Sequence, residues 1–363
     1  MQTDGAPRRI ASLDGLRAVS IGLVLVQHLS GTAGFPIHDP RSLMVLGDIG
    51  YLGVRTFFVI SGFLITTLLL KEHQKTGTVS LGDFYVRRAF RIFPAMYAFV
   101  LVMLVAGALG FFKFREGDAF HALTYTMNYH YERSWELGHL WSLSVEEQFY
   151  LLWPALMLIA GPRWIGHVAG AMVLLAPVMR VLAWYFAPFR DDVIMEAYPC
   201  VMDAIAAGSL LAVTRRRLDG LAWYQRFLRS PLFLAVPVAV LLLNPERWIA
   251  FDYTLGITLQ VIGIAVVVDR LARVPGDPVY RLLNSRAMVW VGTLSYSLYL
   301  WQEPFLNPKG QGDLNAFPVN LVLAFACAVA SYHLVEKPFS SLREAWTGRR
   351  ARLAVARSSV DSP

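Results

Sequence analysis

The sequence predicts an all-α fold, a polytopic membrane bundle of about ten transmembrane helices. Of its 363 residues, 56% are hydrophobic and only 16% are charged, whereas about 25% of the residues in a soluble protein are charged. Apolar runs of about 17–20 residues, long enough to cross a bilayer as helices, recur along the whole chain. These observations favour an integral membrane protein over an ordinary soluble enzyme.

The apolar segments are separated by loops too short to hold a soluble domain. Residues 1–340 are therefore predicted to form one membrane domain, and 341–363 a short basic cytoplasmic tail. The seventh segment is short and contains Pro237, so nine or eleven helices remain alternatives. The ten predicted spans are 17–34, 49–70, 93–112, 140–160, 168–187, 197–214, 231–244, 253–269, 287–306 and 316–335.

The distribution of basic residues predicts the orientation of the bundle. If the N-terminus is cytoplasmic, most Lys and Arg residues fall in the segments that face the cytoplasm, which the positive-inside rule favours. With ten helices, both termini then lie inside. The pI of about 9.5 follows from these loops, so no nucleic-acid partner is expected. Cys200 and Cys327 lie in apolar segments without metal-type spacing, and no metal site is predicted.

Two ionisable residues, Arg17 and His28, belong to the first apolar segment. They are eleven residues apart, which places them within about 20° on one helix face and about 16 Å apart along its axis. With a span of 17–34, His28 would lie near the middle of the bilayer. An imidazole there is either a polar group bonded to a neighbouring helix or a general base or proton relay. Arg17 is either an interfacial arginine or a donor for an anionic ligand.

The fourth segment carries two adjacent carboxylates, Glu146 and Glu147. Glu146 would share a helix face with Ser142 and Tyr150, an arrangement suited to lining a cavity. Such charges are costly in lipid and usually functional, although they could also only hold the bundle together. Glu146 could lie at the same depth as His28, where it could orient the imidazole or compete for its proton.

A basic loop follows the second segment and contains Arg88 and Arg91. If this stretch is helical, the two guanidinium groups share one face. Arginine forks suit phosphate groups, but positive-inside composition alone also predicts basic residues here.

Taken together, six motifs resemble those of the acyltransferase family 3 membrane proteins, which include O-acetylases of lipopolysaccharide and other bacterial surface glycans. The motifs follow one another over about residues 10–340, and the ordered set is specific. They are LDGLRA at 13–18 with His28, FFVISGF at 57–63, Arg88 and Arg91, WSLSVE at 141–146, SYSLYL at 295–300, and VEKP at 335–338.

The resemblance implies a ten-helix fold in the bacterial inner membrane and an acyl-CoA donor, such as acetyl-CoA, that is a substrate and not a bound cofactor. It implies that His28 is the catalytic base or acyl relay, with Arg17 as its partner and Glu146 in support. Arg88 and Arg91 would bind the donor. Some members carry a further SGNH-type domain, which this sequence is not expected to include.

The acceptor implied by the resemblance is a carbohydrate hydroxyl of a lipopolysaccharide, exopolysaccharide or other glycan or glycolipid. A small glycosylated molecule such as a macrolide is an alternative. A proton-coupled transporter that uses His28 and Glu146 as a relay is an alternative from a different class.

Overall fold

All regular secondary structure in the described part of the chain is helical. The structure is a computed structural model, and it describes residues 10–347 except 38, 245–248 and 311. The predicted all-α class is therefore confirmed for these residues. Of the predicted tail 341–363, the part up to Thr347 continues the last helix, and the remainder lies outside the described residues.

The helices are numbered in chain order, and four short 3₁₀ turns lie between them at Met127–Tyr129, Trp135–Leu137, Pro231–Leu234 and Asp313–Asn315. A π-helical turn, Asp252–Gly256, joins α10 to α11, and a second, Tyr332–Glu336, continues α14. The helices are α1 Ala11–Leu29, α2 Pro40–Thr76, α3 Leu81–Ala108, α4 Asp118–Leu123, α5 Leu140–Phe186, α6 Arg190–Glu196, α7 Tyr198–Asp219, α8 Ala222–Arg229, α9 Ala235–Leu242, α10 Ile249–Phe251, α11 Ile257–Arg273, α12 Pro278–Leu283, α13 Arg286–Trp301 and α14 Val319–Ser331.

Six helical stretches among the described residues are long and apolar enough to cross a membrane, and a seventh results if α8 and α9, bent by 72°, count as one span. The predicted number of ten is therefore not confirmed, and neither is the orientation. α1 and α13 are outside the six because α1 contains six polar residues that lower its hydropathy and α13 has only 16 residues. The six stretches are Asp48–Thr76, Leu81–Ala108, Trp135–Phe186, Arg190–Asp219, Asp252–Arg273 and Val319–Thr347.

Two predicted boundaries differ from the observed helices. The predicted loop 71–92 is mostly helical: α2 continues to Thr76, where Gly77 ends it with φ +76°. α3 begins only four residues later, with the Ser80 hydroxyl accepting from a backbone N–H of its first turn. In contrast, α5 covers two predicted spans, which are separated by a break at Gly161 with φ +70°.

Glycines let the central helices approach closely. A Cβ atom on Gly62 of α2 would collide with the carbonyl oxygen of Ile205 in α7, and one on Gly208 of α7 would collide with that of Val59. Gly292 of α13 lies in the same way against the backbone of α1 at Asp14. Since small residues are what allow helix backbones to pack this closely in membranes, these contacts fix the positions of α1, α2, α7 and α13.

A fully buried ion pair joins α5, α7 and α11. Arg180 and Asp203 are both 0% exposed, and their nearest N and O atoms are 3.0 Å apart. Arg180 also donates to the Thr258 hydroxyl and to the carbonyl oxygens of Cys200 and Tyr253. Because every guanidinium nitrogen has a partner, this group holds helices together and does not face a ligand.

Replacing Asp203 by Asn is expected to destabilise the protein by about 3–5 kcal/mol, because Arg180 would remain buried without its counter-charge. The free energy of unfolding measured in detergent micelles tests this. Asp191→Asn is the matched control: it disrupts an exposed pair with Arg190, which is expected to contribute at most about 1 kcal/mol. Equal stability of the two variants would contradict the assignment.

Candidate functional site

His28 lies in the last turn of α1. The helix begins six residues earlier than predicted, and it ends at Leu29 because Ser30 is extended and Gly31 adopts φ +87°. His28 is therefore closer to the helix end than the predicted span implied, and its position near the middle of the bilayer stays a prediction. Arg17 and His28 are both within α1, so they lie on one helix face about 16 Å apart, as the sequence predicted.

The His28 imidazole contacts side chains at the C-terminal end of α13. Its Nδ1 atom lies 2.5 Å from Oε1 of Gln302, and its Nε2 atom lies 3.8 Å from Oε1 of Glu303. The edge of the Trp135 ring system packs on it, with centroids 5.5 Å apart. Gln302 and Glu303 are almost completely buried, whereas 14% of the His28 side chain is exposed.

A second histidine holds the carboxylate of Glu303. The Nδ1 atom of His139 lies 2.8 Å from Oε2, and the backbone N–H of His139 donates to the same oxygen at 3.0 Å. The Trp135 indole N–H donates to the Glu303 carbonyl oxygen. One carboxylate thus bridges His139, at the start of α5, and His28, at the end of α1. We call His28, His139, Gln302 and Glu303 the histidine centre.

This geometry suits His28 to act as a general base. The tautomer that donates from Nδ1 to the Gln302 oxygen leaves the lone pair on Nε2. When Nε2 takes a proton, the imidazolium that forms has the Glu303 carboxylate beside it. A base oriented by one neighbour and charge-stabilised by another is the arrangement that nucleophilic hydroxyl activation needs.

Glu146 is not the carboxylate beside the imidazole. It accepts a hydrogen bond of 2.6 Å from the Ser61 hydroxyl, and the ion pair within 4 Å of His28 is made by Glu303. Glu146 lies two turns further along α5 than His139, on the same side of the helix. Its predicted supporting role in the site stays a prediction.

Four arginines gather at the other end of α1. Arg88 of α3 stacks on the Tyr150 ring, with its guanidinium carbon 3.5 Å from the ring centroid. Arg91, one turn later on the same helix, is exposed and lies within electrostatic range of Arg17, Arg88 and Arg343. We call Arg17, Arg88, Arg91 and Arg343 the arginine cluster. The sequence predicted three of its members, and the helical extension beyond α14 adds Arg343.

Two further contacts tie α13 to this end of the bundle. The Tyr296 hydroxyl donates to the carbonyl oxygen of Ile92, next to Arg91, and the Ser297 hydroxyl donates to the Glu336 carboxylate. Glu336 is also close enough to Arg91 for an electrostatic interaction between the two side chains. The hydroxyls of Tyr296 and Ser297 therefore make bonds between helices.

A polar row on α5 connects the two ends. His139, Ser142, Glu146 and Tyr150 lie within about 80° of one another on the helix surface and extend over about 16 Å. Ser142 shares a 2.6 Å hydrogen bond with the Tyr299 hydroxyl of α13, and Glu146 bonds to α2 as described. The row runs parallel to the Arg17–His28 line of α1, so polar groups extend from the arginine cluster to the histidine centre.

Three residues of the histidine centre were missed by sequence reasoning: His139, Gln302 and Glu303. His139 lies two residues before the start of the WSLSVE motif, and the other two directly follow the apolar stretch of α13. A polar or ionisable residue at the end of an apolar segment is the only signal they give. Within the described residues, no three His, Cys, Asp or Glu side chains come together in a way that could hold a metal ion.

The fold and the site define a class of protein: a helical membrane protein with a histidine–carboxylate centre at one end and an arginine cluster at the other. Residues 10–333 match the acyltransferase domain family, and the chain belongs to this family. The resemblance found in the sequence is thereby confirmed. The family is one of acyltransferase domains.

Two relatives cover nearly all of this chain. The O-acetyltransferase OatA of Staphylococcus aureus (strain NCTC 8325 / PS 47) is 28% identical over 377 residues, which are 92% of this chain and 57% of that protein. The peptidoglycan O-acetyltransferase OatA of Listeria monocytogenes is 26% identical over 360 residues, 91% and 55% of the respective lengths. The chain thus spans little more than half the length of these relatives. No solved structure matches it significantly.

Glu303→Gln is expected to lower the acyl-transfer rate about a hundredfold, because the variant keeps the shape but removes the charge beside the His28 imidazolium. Steady-state transfer assays on purified protein in lipid measure this. Glu136→Gln is the matched control, a nearby carboxylate that contacts Asn307 and not the imidazole. An unchanged turnover number in Glu303→Gln would remove the carboxylate from the mechanism.

Proposed function

We propose that the protein is an integral membrane O-acyltransferase that moves an acetyl or short acyl group from acyl-CoA to a carbohydrate hydroxyl of a cell-surface polymer. The observation that carries the proposal is the pairing of two centres on one helix. A histidine that can act as a base lies at one end of α1, and an arginine cluster that can bind phosphate groups lies at the other. Neither centre alone would suggest a two-substrate transfer.

The arginine cluster supports an acyl-CoA donor. CoA carries several phosphate oxygens, and guanidinium groups bind phosphates through paired, charge-assisted hydrogen bonds. Within the described residues, Arg91 is exposed and has no ion-pair partner within 4 Å, which leaves it available to a ligand. Arg17 and Arg88 would contribute from α1 and α3, as the sequence predicted for Arg88.

The histidine centre supports the chemistry of the transfer. Nε2 of His28 takes the proton of the acceptor hydroxyl, and the oxygen attacks the thioester carbonyl carbon of the donor. The C–S bond then breaks, the new ester forms, and the CoA thiolate leaves and takes up a proton. Glu303 offsets the positive charge that His28 carries in between.

We propose the ten-helix, N-in and C-in arrangement in the plasma membrane, and the placement of both centres fits its orientation. In that arrangement α1 and α3 start at the cytoplasmic face, so the arginine cluster faces the compartment that supplies acyl-CoA. The ends of α1 and α13 and the start of α5 lie toward the outer face. The histidine centre is then on the side from which a surface polymer arrives.

The proposed acceptor, a hydroxyl of a cell-surface glycan, is supported by the name of one relative. This relative is a peptidoglycan O-acetyltransferase, so a hydroxyl of a cell-surface glycan is the acceptor that the comparison favours. Mass spectrometry of surface glycan from a deletion strain tests this proposal: loss of O-acyl groups supports a surface glycan, and an unchanged glycan contradicts it. Acylation of a small glycosylated molecule instead would appear as an acylated product in the culture medium.

His28→Ala is expected to reduce acyl transfer by about 10²–10⁴-fold, the usual contribution of a general base. Acyl-CoA binding should be unchanged, because the arginine cluster is about 16 Å away. Transfer of radiolabelled acetyl groups by membranes containing equal amounts of inserted protein measures the loss. The control His167→Ala changes an exposed histidine on α5. Full activity of His28→Ala would refute the proposed role.

Arg91→Ala is expected to weaken acetyl-CoA binding about tenfold or more, since a charge-assisted hydrogen bond contributes about 1.5–3 kcal/mol. The same is expected for Arg88→Ala. Binding isotherms at two salt concentrations provide the measurement, and the loss should be larger at low salt. Arg226→Ala serves as the control because Arg226 is an exposed arginine of α8. If the affinity of the variants equals that of Arg226→Ala, the cluster does not bind the donor.

A further inference from the structure

α8 is a short helix that turns the chain between α7 and α9. Its axis and that of the following segment, Pro231–Leu242, meet at 72°. If Pro231–Leu242 follows the membrane normal, α8 is inclined to the membrane plane by 90° minus 72°, which is 18°. Helices in membranes tilt by about 20° on average, so α8 remains closer to the plane of the membrane than to its normal. This is the orientation of a helix that lies at the membrane surface.

One side of α8 is attached to the rest of the bundle. Tyr224 and Leu228, one turn apart, are buried. The Tyr224 hydroxyl donates to a carboxylate oxygen of Asp269 at 2.9 Å, and Nε of Arg270 donates to the carbonyl oxygen of Leu228 at 2.8 Å. Asp269 and Arg270 both belong to α11. α8 is thus held in a fixed position beside the end of α11.

The opposite side of α8 combines an aromatic ring with two arginines. Trp223, Arg226 and Arg229 are exposed and lie within about 120° on the helix surface, away from the attached side. Trp223 is 65% exposed, and Leu232, in the turn that follows, is 74% exposed. Removing such apolar side chains from water is favourable, and Trp is enriched where a membrane meets water. We call Trp223, Arg226, Arg229 and Leu232 the α8 surface, and its composition indicates contact with lipid.

The α8 surface has an excess of positive charge. Residues 215–229 contain five arginines and one carboxylate, Asp219. Asp219 accepts from Arg273 of α11, and among the residues that the structure describes no Asp or Glu oxygen lies within 4 Å of a nitrogen of Arg226 or Arg229. Guanidinium groups bind phosphates through paired, charge-assisted hydrogen bonds. An anionic phosphate group is therefore the partner that this surface fits.

We propose that the α8 surface binds the headgroup of an anionic phospholipid such as phosphatidylglycerol. Arg226 and Arg229 bind the headgroup phosphate, while Trp223 and Leu232 contact the glycerol backbone and the first methylenes of the acyl chains. A soluble phosphate compound would engage only the arginines and leave the indole ring and the leucine in water, so the combination favours a lipid. Basic residues on an amphipathic helix are a usual means of recognising such lipids. Lipid binding at this surface is independent of the acyl-transfer chemistry.

Native mass spectrometry of the purified full-length protein tests this site. The protein in detergent is titrated with palmitoyl-oleoyl phosphatidylglycerol or with the zwitterionic palmitoyl-oleoyl phosphatidylcholine, and the dissociation constant of the first bound lipid is measured. In Arg226→Gln/Arg229→Gln, phosphatidylglycerol binding should weaken about 25-fold, about fivefold for each arginine removed. Phosphatidylcholine binding should change little, because the choline group offsets the phosphate charge. In Trp223→Ala, both lipids should bind more weakly by the same factor, because the indole contacts parts that they share.

Arg281→Gln/Arg286→Gln is the matched control, because it removes two exposed arginines of α12 and α13. α12 begins beside the end of α11, where Asp277 pairs with Arg270, so the control removes the same charge on the same side of the bundle. Its phosphatidylglycerol binding should equal that of the unaltered protein. An equal loss in the two double variants would show that only net charge matters and would refute the site. Unchanged phosphatidylglycerol binding in Arg226→Gln/Arg229→Gln would refute it as well.

Glycerol 1-phosphate distinguishes a lipid from a soluble phosphate ester. An equal concentration of this compound should not displace phosphatidylglycerol, and displacement would refute the assignment to a lipid. Acetyl-CoA binding should be unchanged in Arg226→Gln/Arg229→Gln, because the ligand of α8 is a lipid and not the donor. Lipid binding at α8 and acyl transfer can therefore each fail while the other is retained.

Discussion

The carboxylate of Glu303 is the contact on which the site depends, because it joins three helices that are distant in sequence. It accepts from the side chain and backbone of His139 at the start of α5 and lies beside His28 at the end of α1. It is itself attached to the end of α13. A buried carboxylate is tolerated only when its oxygens are satisfied, so the position of each helix end constrains the other two. The reactive imidazole is oriented by this constraint and not by its own helix alone.

Two of the three helices that meet at Glu303, α1 and α13, are not among the six long apolar stretches. α1 contains Asp14, Arg17, Gln27 and His28 within 19 residues, and α13 has only 16 residues before Gln302 and Glu303. Close glycine contacts compensate for this, since Gly292 brings the backbone of α13 against that of α1. The longer and more apolar helices surround this pair. Polar chemistry is thus kept inside the bundle by packing and not by hydrophobicity of the helices concerned.

Local features of the site could be predicted from sequence, and long-range ones could not. Arg17 and His28 share a face because helical periodicity fixes it within one segment, and Arg88 and Arg91 follow the same rule. The start of α3 was missed because charged residues at 83–91 hide a helix that Ser80 begins. Gln302 lies 274 positions from its partner His28. No periodicity connects such residues, so only the fold reveals that Glu303, and not Glu146, lies beside the imidazole.

The spacing of eleven positions from Arg17 to His28 has a consequence for the permeability of the membrane. The hydrocarbon core of a bilayer is about 30 Å thick, and the line from one centre to the other covers about half of it. With the proposed donor, the charged end of CoA stays at one surface while its thioester reaches the other half, and the acceptor needs only a shallow approach from outside. A single acyl group of a few atoms is then all that passes between compartments. Transfer of this kind would modify material on one side of the membrane with a metabolite from the other while neither solute crosses.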